Sequence, residues 1–384
     1  MGLFSSDTVT KSPKPVNNDQ DNNQMSSVPK ETEDEILPIT DSELLRLKSL
    51  VDSSSVPQEL KDRISVRLGQ LNRLVNSPSY LDEYDRIARY IDWVTKVPWD
   101  KTTEDILDLK RARQILDSHH YGLEDIKNRV LEYMSVMKLK AEKGEKNEVL
   151  KAPTLFFVGL VGTGKTTIAP SIAEALGRKF ARIPFGGMGD PLDLRGQSRL
   201  HLESEPGKIV KALISVQSMN PVILLDEIDR VTEEGRSSIM GVLVELLDPK
   251  QNFAFVDHYI DYPIDLSQVL FIATANNTHN IATAVMDRLE PISMPSYTDS
   301  EKIAIATKYV LPEKLKAAGI PPGAIVIDDN VWPVIVRPLG YDAGIRTLER
   351  TIDGVVRKVA RMMVEGKTSS FHITTDNMKE FLPQ

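Results

Sequence analysis

Two stretches sixty residues apart carry the residue types that handle the phosphates of a nucleotide. Gly159-Leu160-Val161-Gly162-Thr163-Gly164-Lys165-Thr166 fits the G-x-x-x-x-G-K-[ST] pattern, with an apolar β run before it and helix-type sequence from Thr167 after it. Glycines in such a loop let successive backbone N–H groups face phosphate oxygens, and the following helix N-terminus adds positive potential. The candidate nucleotide-binding residues here are Gly159, Gly162, Thr163, Gly164, Lys165, Thr166 and Thr167, with Lys165 reaching the β- and γ-phosphates of ATP and Thr166 giving an oxygen to Mg²⁺. The second stretch, Val222-Ile223-Leu224-Leu225-Asp226-Glu227-Ile228-Asp229, is an apolar strand that ends in adjacent carboxylates. Acids at a strand end are often merely solvated or cap the next helix. Beside a phosphate-binding loop they have a chemical reading: Asp226 completes the Mg²⁺ shell and Glu227 polarises the attacking water as general base.

Further along, the apolar run Val269 to Ala275 ends at Asn276, whose amide can orient that water or touch the γ-phosphate. Asp287-Arg288 and Gly344-Ile345-Arg346 follow. The planar, permanently charged guanidinium suits the charge that develops on a transferred phosphoryl group. Taken singly these residues say little, because surface arginines are commonplace. Their order is what carries information.

The elements that must hold these groups can be outlined from periodicity. Short β runs, Thr154 to Val158, Phe180 to Phe185, Val222 to Asp226, Val269 to Ala275 and Pro291 to Met294, alternate with helical segments, which predicts an α/β domain with a parallel sheet. Three apolar stripes precede it: Leu44, Leu47, Leu50 and Val51; Leu60, Ile64, Leu68, Leu71 and Val75 after Pro57; and Tyr80, Tyr84, Ile87, Ile91 and Val94 before Pro98. Beyond Asp299 only helical periodicity is evident, clearest in Ile345, Leu348, Ile352, Val355, Val359 and Met362, so the last segment reads as all-helical. Residues 1 to 40 hold seven acidic residues against three lysines among Asn, Ser and Pro, a composition that predicts a disordered acidic tail.

Composition bounds the partners. The chain has 384 residues, a net charge of −8 and no cysteine, which excludes disulfides and thiolate zinc sites and argues against a phosphate-backbone-binding face. Its apolar runs fall far short of the roughly 20 residues that span a membrane, so the expectation is a cytoplasmic protein with no nucleic-acid partner. Met1-Gly2-Leu3-Phe4-Ser5-Ser6 fits a loose acylation pattern that matters only in eukaryotes.

The sequential order of phosphate loop, acidic strand end, polar strand end, arginine and late Gly-Ile-Arg resembles the AAA+ ATPases. Val97-Pro98-Trp99-Asp100, Leu107 to Arg113, His120-Tyr121-Gly122-Leu123, Leu246-Leu247-Asp248-Pro249-Lys250-Gln251-Asn252, Asp257-His258-Tyr259 and Gly344 to Arg350 resemble segments of the ATPase half of Lon proteases, from about residue 57 to the end. With the disordered tail over 1–40 that composition predicts, the resemblance divides the rest into a helical N-terminal region over 41–118, an α/β AAA+ P-loop core over 119–296 and a helical lid over 297–384. It implies that Asn276 is the first sensor, Arg288 a finger acting in trans, Arg346 the second sensor, and that His120, Tyr121 and Gly122 lie near the adenine. A finger in trans implies a ring, a homohexamer in Lon-like proteins, that works on a protein substrate or a separately encoded partner. The serine-lysine proteolytic domain of that family is not recognised in these 384 residues, so no peptidase activity is expected of them. Where Lon places a gripping aromatic before a Pro-Gly pair, this chain has His201-Leu202 in Arg199 to Gly207, flanked by Glu203 and Glu205. That change leaves two functional classes open, an ATP-driven remodelling enzyme and an ATP-gated assembly protein with slow hydrolysis.

Overall fold

The computed structural model describes residues 40–144, 153–201, 203–337, 344–366 and 370–382. The expected disordered tail, but for Thr40, and Leu202 lie outside these residues.

Three helices open the described chain: α1 (Thr40–Ser53), α2 (Gln58–Arg73) and α3 (Tyr80–Lys96). Pro57 sits just before α2 with φ −55°, where its fixed dihedral and missing N–H cost nothing. Two more follow, α4 (Leu109–His119) and α5 (Glu124–Glu142). Asp108 caps α4 by accepting the backbone N–H groups of Lys110 and Arg111.

The α/β layer then alternates β1 (Thr154–Val158), α6 (Lys165–Leu176), β2 (Phe180–Pro184), a single turn α7 (Leu192–Arg195), α8 (Lys208–Val216), β3 (Val222–Asp226) and α9 (Arg236–Leu247). A two-residue hairpin, β4 (Phe255–Val256) with β5 (Pro263–Ile264), precedes β6 (Leu270–Ala275), the turn α10 (Thr283–Met286) and β7 (Leu289–Ser293). The five main strands are all parallel in the order β2-β3-β6-β1-β7.

Strand alternation divides the apolar side chains between two cores. Phe156, Ile223, Leu225, Phe271 and Ala273 face a core shared with α1 to α3, so the N-terminal helices are packed as part of the α/β body. Leu155, Phe157, Leu224 and Ile272 face α4, α5 and α6. The boundary expected at residue 118 therefore cuts through a packed unit, since α4 buries Ala112 and Leu116 in that second core.

The lid follows as α11 (Asp299–Ile305), a π-helical stretch at Ala306–Val310, α12 (Leu311–Ala317), β8 (Ile325–Ile327), α13 (Trp332–Val336), α14 (Arg346–Val364), β9 (Phe371–Ile373) and α15 (Met378–Phe381). It has its own apolar core, to which Leu348, Ile352, Val355 and Val359 of α14 contribute. The all-helical expectation needs correction here: β8 and β9 form a parallel pair, Ile325 opposite Phe371 and Ile327 opposite Ile373. Three residues are too few to display a period of two, and their partners lie far apart in sequence.

Candidate active site

The inner strands β3, β6 and β1 end level with one another, and this assembles the site. Val158 pairs with Ala275 and Leu225 with Ala273, so Gly159, Asn276 and Asp226 leave the sheet side by side. That carboxyl edge is where open α/β sheets bind ligands. Gly162 and Gly164 have φ of 81° and 94°, a region that favours glycine. Thr163 is fully buried and its hydroxyl donates to the Leu160 carbonyl at 2.9 Å, so it shapes the loop from inside.

Lys165 is 7% exposed and donates to the carbonyls of Gly159 (2.6 Å) and Leu160 (2.8 Å) and to Asn276 Oδ1 (3.1 Å). Burial, and then the nearby Arg346 cation, push its pKa down, while Asp229, Glu227 and Asp226 pull it back up. Asp226 is 2% exposed. Its Oδ1 accepts from Thr274 Oγ1 (2.5 Å) and Thr166 Oγ1 (3.2 Å), and its Oδ2 from Arg182, at 2.8 Å from Nε and 2.6 Å from Nη2. Glu227 sits at φ 59°, with its N–H donating to Thr274 Oγ1 at 2.9 Å and its carboxylate 3.2 Å from Arg230 Nη1. Thr274 thus ties both acids to β6. Asp229 accepts the backbone N–H groups of Asn276 (3.1 Å) and Asn277 (3.3 Å), which fixes the end of that strand.

These groups open on one cleft of about 570 Å³, counting space open to solvent, within the about 300–1,000 Å³ of small-molecule sites. The loop supplies Val161, Gly162, Gly164, Lys165, Thr166 and Thr167, the sheet supplies Asp226, Glu227 and Asn276, and the lid supplies Ile345, Arg346 and Glu349. The lid wall is pinned to the loop: Ile345 N–H donates to Gly162 O at 3.1 Å, and a Cβ on Gly344 would lie 2.4 Å from Val161 O. Tyr297 donates to Thr163 O at 3.2 Å, and burial raises its pKa to about 12. Burial also raises the carboxyl of Glu349. The donor set fits magnesium and a polyphosphate. A hydroxyl and a carboxylate, Thr166 and Asp226, are the hard oxygen ligands magnesium takes, and the buried Asn276 Nδ2 has no protein partner among the described residues.

Other expected site residues stand elsewhere. Gly159 is packed under β7, where a Cβ would come 2.6 Å from Met294 O. His120, Tyr121 and Gly122 do not line the cleft. His120 is buried with Nε2 2.9 Å from Ser171 Oγ on α6, and burial, with His119 and Lys127 nearby, lowers its pKa to about 4. Tyr121 packs against the lid core, and Gly122 turns the chain at φ 62°. Arg288 is also outside the cleft, donating to Asp248 Oδ2 (2.9 Å) and Ala284 O (2.7 Å).

Residues 155–296 match the family described as ATPase family associated with various cellular activities (AAA), and residues 316–371 match the Lon protease AAA+ ATPase lid domain. The chain is similar to the Lon protease of Lawsonia intracellularis, 42% identical over 94% of this chain and 42% of the relative. It is also similar to Lon protease 2 of Thermus thermophilus, 44% identical over 82% and 40%, and to the Lon protease of Desulfatibacillum aliphaticivorans, 43% identical over 78% and 36%. This chain carries the AAA+ ATPase module of the Lon family. It spans about two fifths of the length of the curated relatives it matches.

The Lon-like signatures acquire physical roles. Asp248, of Leu246 to Asn252, holds Arg288, and the backbone N–H of Lys250, before Arg288 itself, keeps its carboxyl below the usual range. Asp257, fully buried, accepts the N–H groups of Gly207 (2.7 Å), Tyr259 (2.8 Å) and Ile260 (3.0 Å), so it ties down the root of the Arg199 to Gly207 loop. His201 is exposed in that loop, and its carbonyl accepts from Ser204 Oγ at 2.9 Å.

Thr274, Arg182, Arg230, Tyr297 and Glu349 escape the sequence reading. Thr274 did leave a signal as the lone hydroxyl in an apolar strand. Arg182 reads as an edge-strand surface residue, and nothing local marks Tyr297.

Proposed function

We propose that this Lon-type module hydrolyses Mg-ATP within a cytosolic homohexameric ring and uses the cycle to remodel a polypeptide partner. The observation that carries the reading is the convergence of Lys165, Thr166, Asp226, Glu227 and Asn276 on one cleft closed by Arg346 of the lid. Lys165 exchanges its loop carbonyls for phosphate oxygens, Thr166 and Asp226 hold the metal, and the backbone of Gly162 to Thr166 cradles the phosphates. Magnesium, when bound with the nucleotide, neutralises charge on its β- and γ-oxygens. Asn276 orients the attacking water and Glu227 takes its proton, once Arg230 has released the carboxylate. Arg346 steadies the phosphates from the lid, while Arg288, held by Asp248 outside its own cleft, serves a neighbouring copy as the finger. His120, Tyr121 and Gly122, at the seam between α6 and the lid, flank the adenine. His201-Leu202 is the loop that meets polypeptide. No peptidase step is proposed for these 384 residues.

A second reading has one specific support: Glu227 is paired with Arg230, a contact that slows a base. In that reading nucleotide occupancy governs assembly and turnover is incidental. Phosphate release, nucleotide retention and light scattering together separate the two. Lys165→Ala is expected to lose nucleotide binding, and Glu227→Gln to retain ATP while hydrolysis drops by at least about a hundredfold. Undiminished turnover in Glu227→Gln sinks the catalytic assignment. Negligible wild-type turnover with ATP-dependent assembly selects the switch.

A further inference from the structure

A second cleft lies between the N-terminal helices and the root of the Arg199 to Gly207 loop, and its chemistry differs from that of the nucleotide site. It encloses about 830 Å³, counting space open to solvent. Arg67 of α2, Arg86, Arg89 and Tyr90 of α3, and Arg199 and His201 of the loop line it, with Glu83 as the lone carboxylate on the wall. Arg86 pairs with Glu83 at 3.1 Å, and Arg199 with Asp261 at 2.7 Å. Arg199 and Arg67 both lie over the Tyr90 ring, at 4.3 and 5.7 Å from its centre, which brings two guanidinium groups to one aromatic ring. Arg86 Nε is buried with no partner among the described residues. Four guanidinium groups and one carboxylate, Glu83, give the described lining a net positive charge, in planar forks that suit carboxylate oxygens.

The chain itself contains the complementary segment. Glu31, Glu33, Asp34 and Glu35 place four carboxylates in five residues. That stretch runs into α1 at Thr40, and the first turn of α1 lies close to α3: burial and then the neighbouring Glu43 carboxylate raise the pKa of Tyr84, next to Glu83 and two residues before Arg86. Five to nine residues separate the acids from Thr40, a reach of up to about 17–30 Å for extended chain. We propose that the Arg67, Arg86, Arg89 and Arg199 cleft is a docking site for an acidic polypeptide segment, and that its occupant is the Glu31–Glu35 stretch of this chain. A tethered segment docks at an effective concentration in the millimolar range, so even a weak contact is populated.

The test is done without nucleotide, on the full chain. A fluorescent peptide of residues 28–39 is titrated, by anisotropy, against wild type and against a chain with Glu31→Gln, Glu33→Gln, Asp34→Asn and Glu35→Gln. The neutralised chain should bind the peptide at least about tenfold more tightly than wild type, whose own segment competes, and binding should vanish by about 0.5 M salt. Adding Arg67→Gln and Arg86→Gln should weaken the peptide by about tenfold. The comparison of wild type with the neutralised chain needs no change in the cleft, so it stands even if the arginine variants misfold. Equal binding by those two chains overturns the assignment of the occupant and hands the cleft to another acidic partner. Equal binding of the peptide and its all-amide counterpart overturns the site.

Discussion

Thr274 is the residue whose removal discriminates most sharply between a site and a coincidence of motifs. Its hydroxyl donates to Asp226 at 2.5 Å and accepts the N–H of Glu227 at 2.9 Å, and its side chain is fully buried. Thr274→Val keeps the shape and deletes both bonds. Asp226 retains Thr166 and Arg182, so the larger loss is the Glu227 N–H, which is left without an acceptor in a half-buried turn. An orphaned donor and a lost bond to a carboxylate together cost about 2 kcal/mol of stability, at the lower end because water reaches Glu227. The catalytic effect follows from the backbone: Glu227 sits in the left-handed region, about 1–2 kcal/mol above the right-handed one for a residue with a Cβ, and this hydrogen bond offsets the difference. Losing about 1.4 kcal/mol of that support cuts the fraction of chains presenting the carboxylate correctly about tenfold. Steady-state phosphate release should therefore fall about tenfold in kcat, with nucleotide affinity changed less than about threefold, since Lys165 and the loop are untouched. Thr274→Ser should restore both bonds and most of the rate. A valine variant with wild-type kcat and an unshifted urea midpoint would refute the reasoning.

Two further outcomes test the frame around the site. His120 stays neutral when folded because its pKa is about 4, whereas the unfolded residue titrates near 6.5, so the unfolded chain binds the extra proton. Its contribution is therefore nil above pH 6.5, and stability is lost as pH falls from 6.5 to 4, by up to about 3 kcal/mol; urea midpoints of His120→Gln should fall less steeply over that window. Asp257→Asn keeps one accepting oxygen and sets its NH2 against either the Gly207 N–H or the Tyr259 and Ile260 N–H groups, at about 2 kcal/mol, and should speed trypsin cleavage after Arg199 by at least about fivefold while leaving nucleotide affinity unchanged. Unchanged cleavage would separate Asp257 from control of that loop.

The chemistry was legible where it is written in consecutive residues. Gly159 to Thr166 and Val222 to Asp229 announce themselves because a phosphate loop and a metal-binding strand end are local devices. Partners that depend on register were not legible. Thr274 reaches Asp226 because Leu225 pairs with Ala273, a fact about β3 and β6 that neither segment contains. Arg182 meets Asp226 through the parallel pairing of β2 with β3, although its own strand suggests only a solvated edge. The strands β8 and β9 and the β4–β5 hairpin are too short for periodicity to reveal. Thr163 shows the converse: a motif position that points inward and holds the loop's shape.

Backbone hydrogen bonds also join the acidic end of β3 to the segment that leads toward His201. The segment after β2 is bound to the segment after β3 at successive points: Phe185 N–H to Asp226 O (2.9 Å), Gly187 N–H to Arg230 O (3.0 Å) and Thr232 N–H to Met188 O (2.9 Å). Gly235 then rests on Gly189, where a Cβ would lie 2.1 Å from Gly189 O, so the two segments cannot slide past each other. Asp226, Glu227 and Arg230 therefore move with Phe185 to Gly189, the stretch that leads through α7 to Arg199. The Glu227 carboxylate at the head of this segment is paired with Arg230 at 3.2 Å. Releasing Arg230 frees the side chain of the residue whose carbonyl anchors Gly187. The acidic end of β3 and the segment leading to Arg199 are thus joined through backbone hydrogen bonds, while Asp257 holds the far end of the Arg199 to Gly207 loop at Gly207.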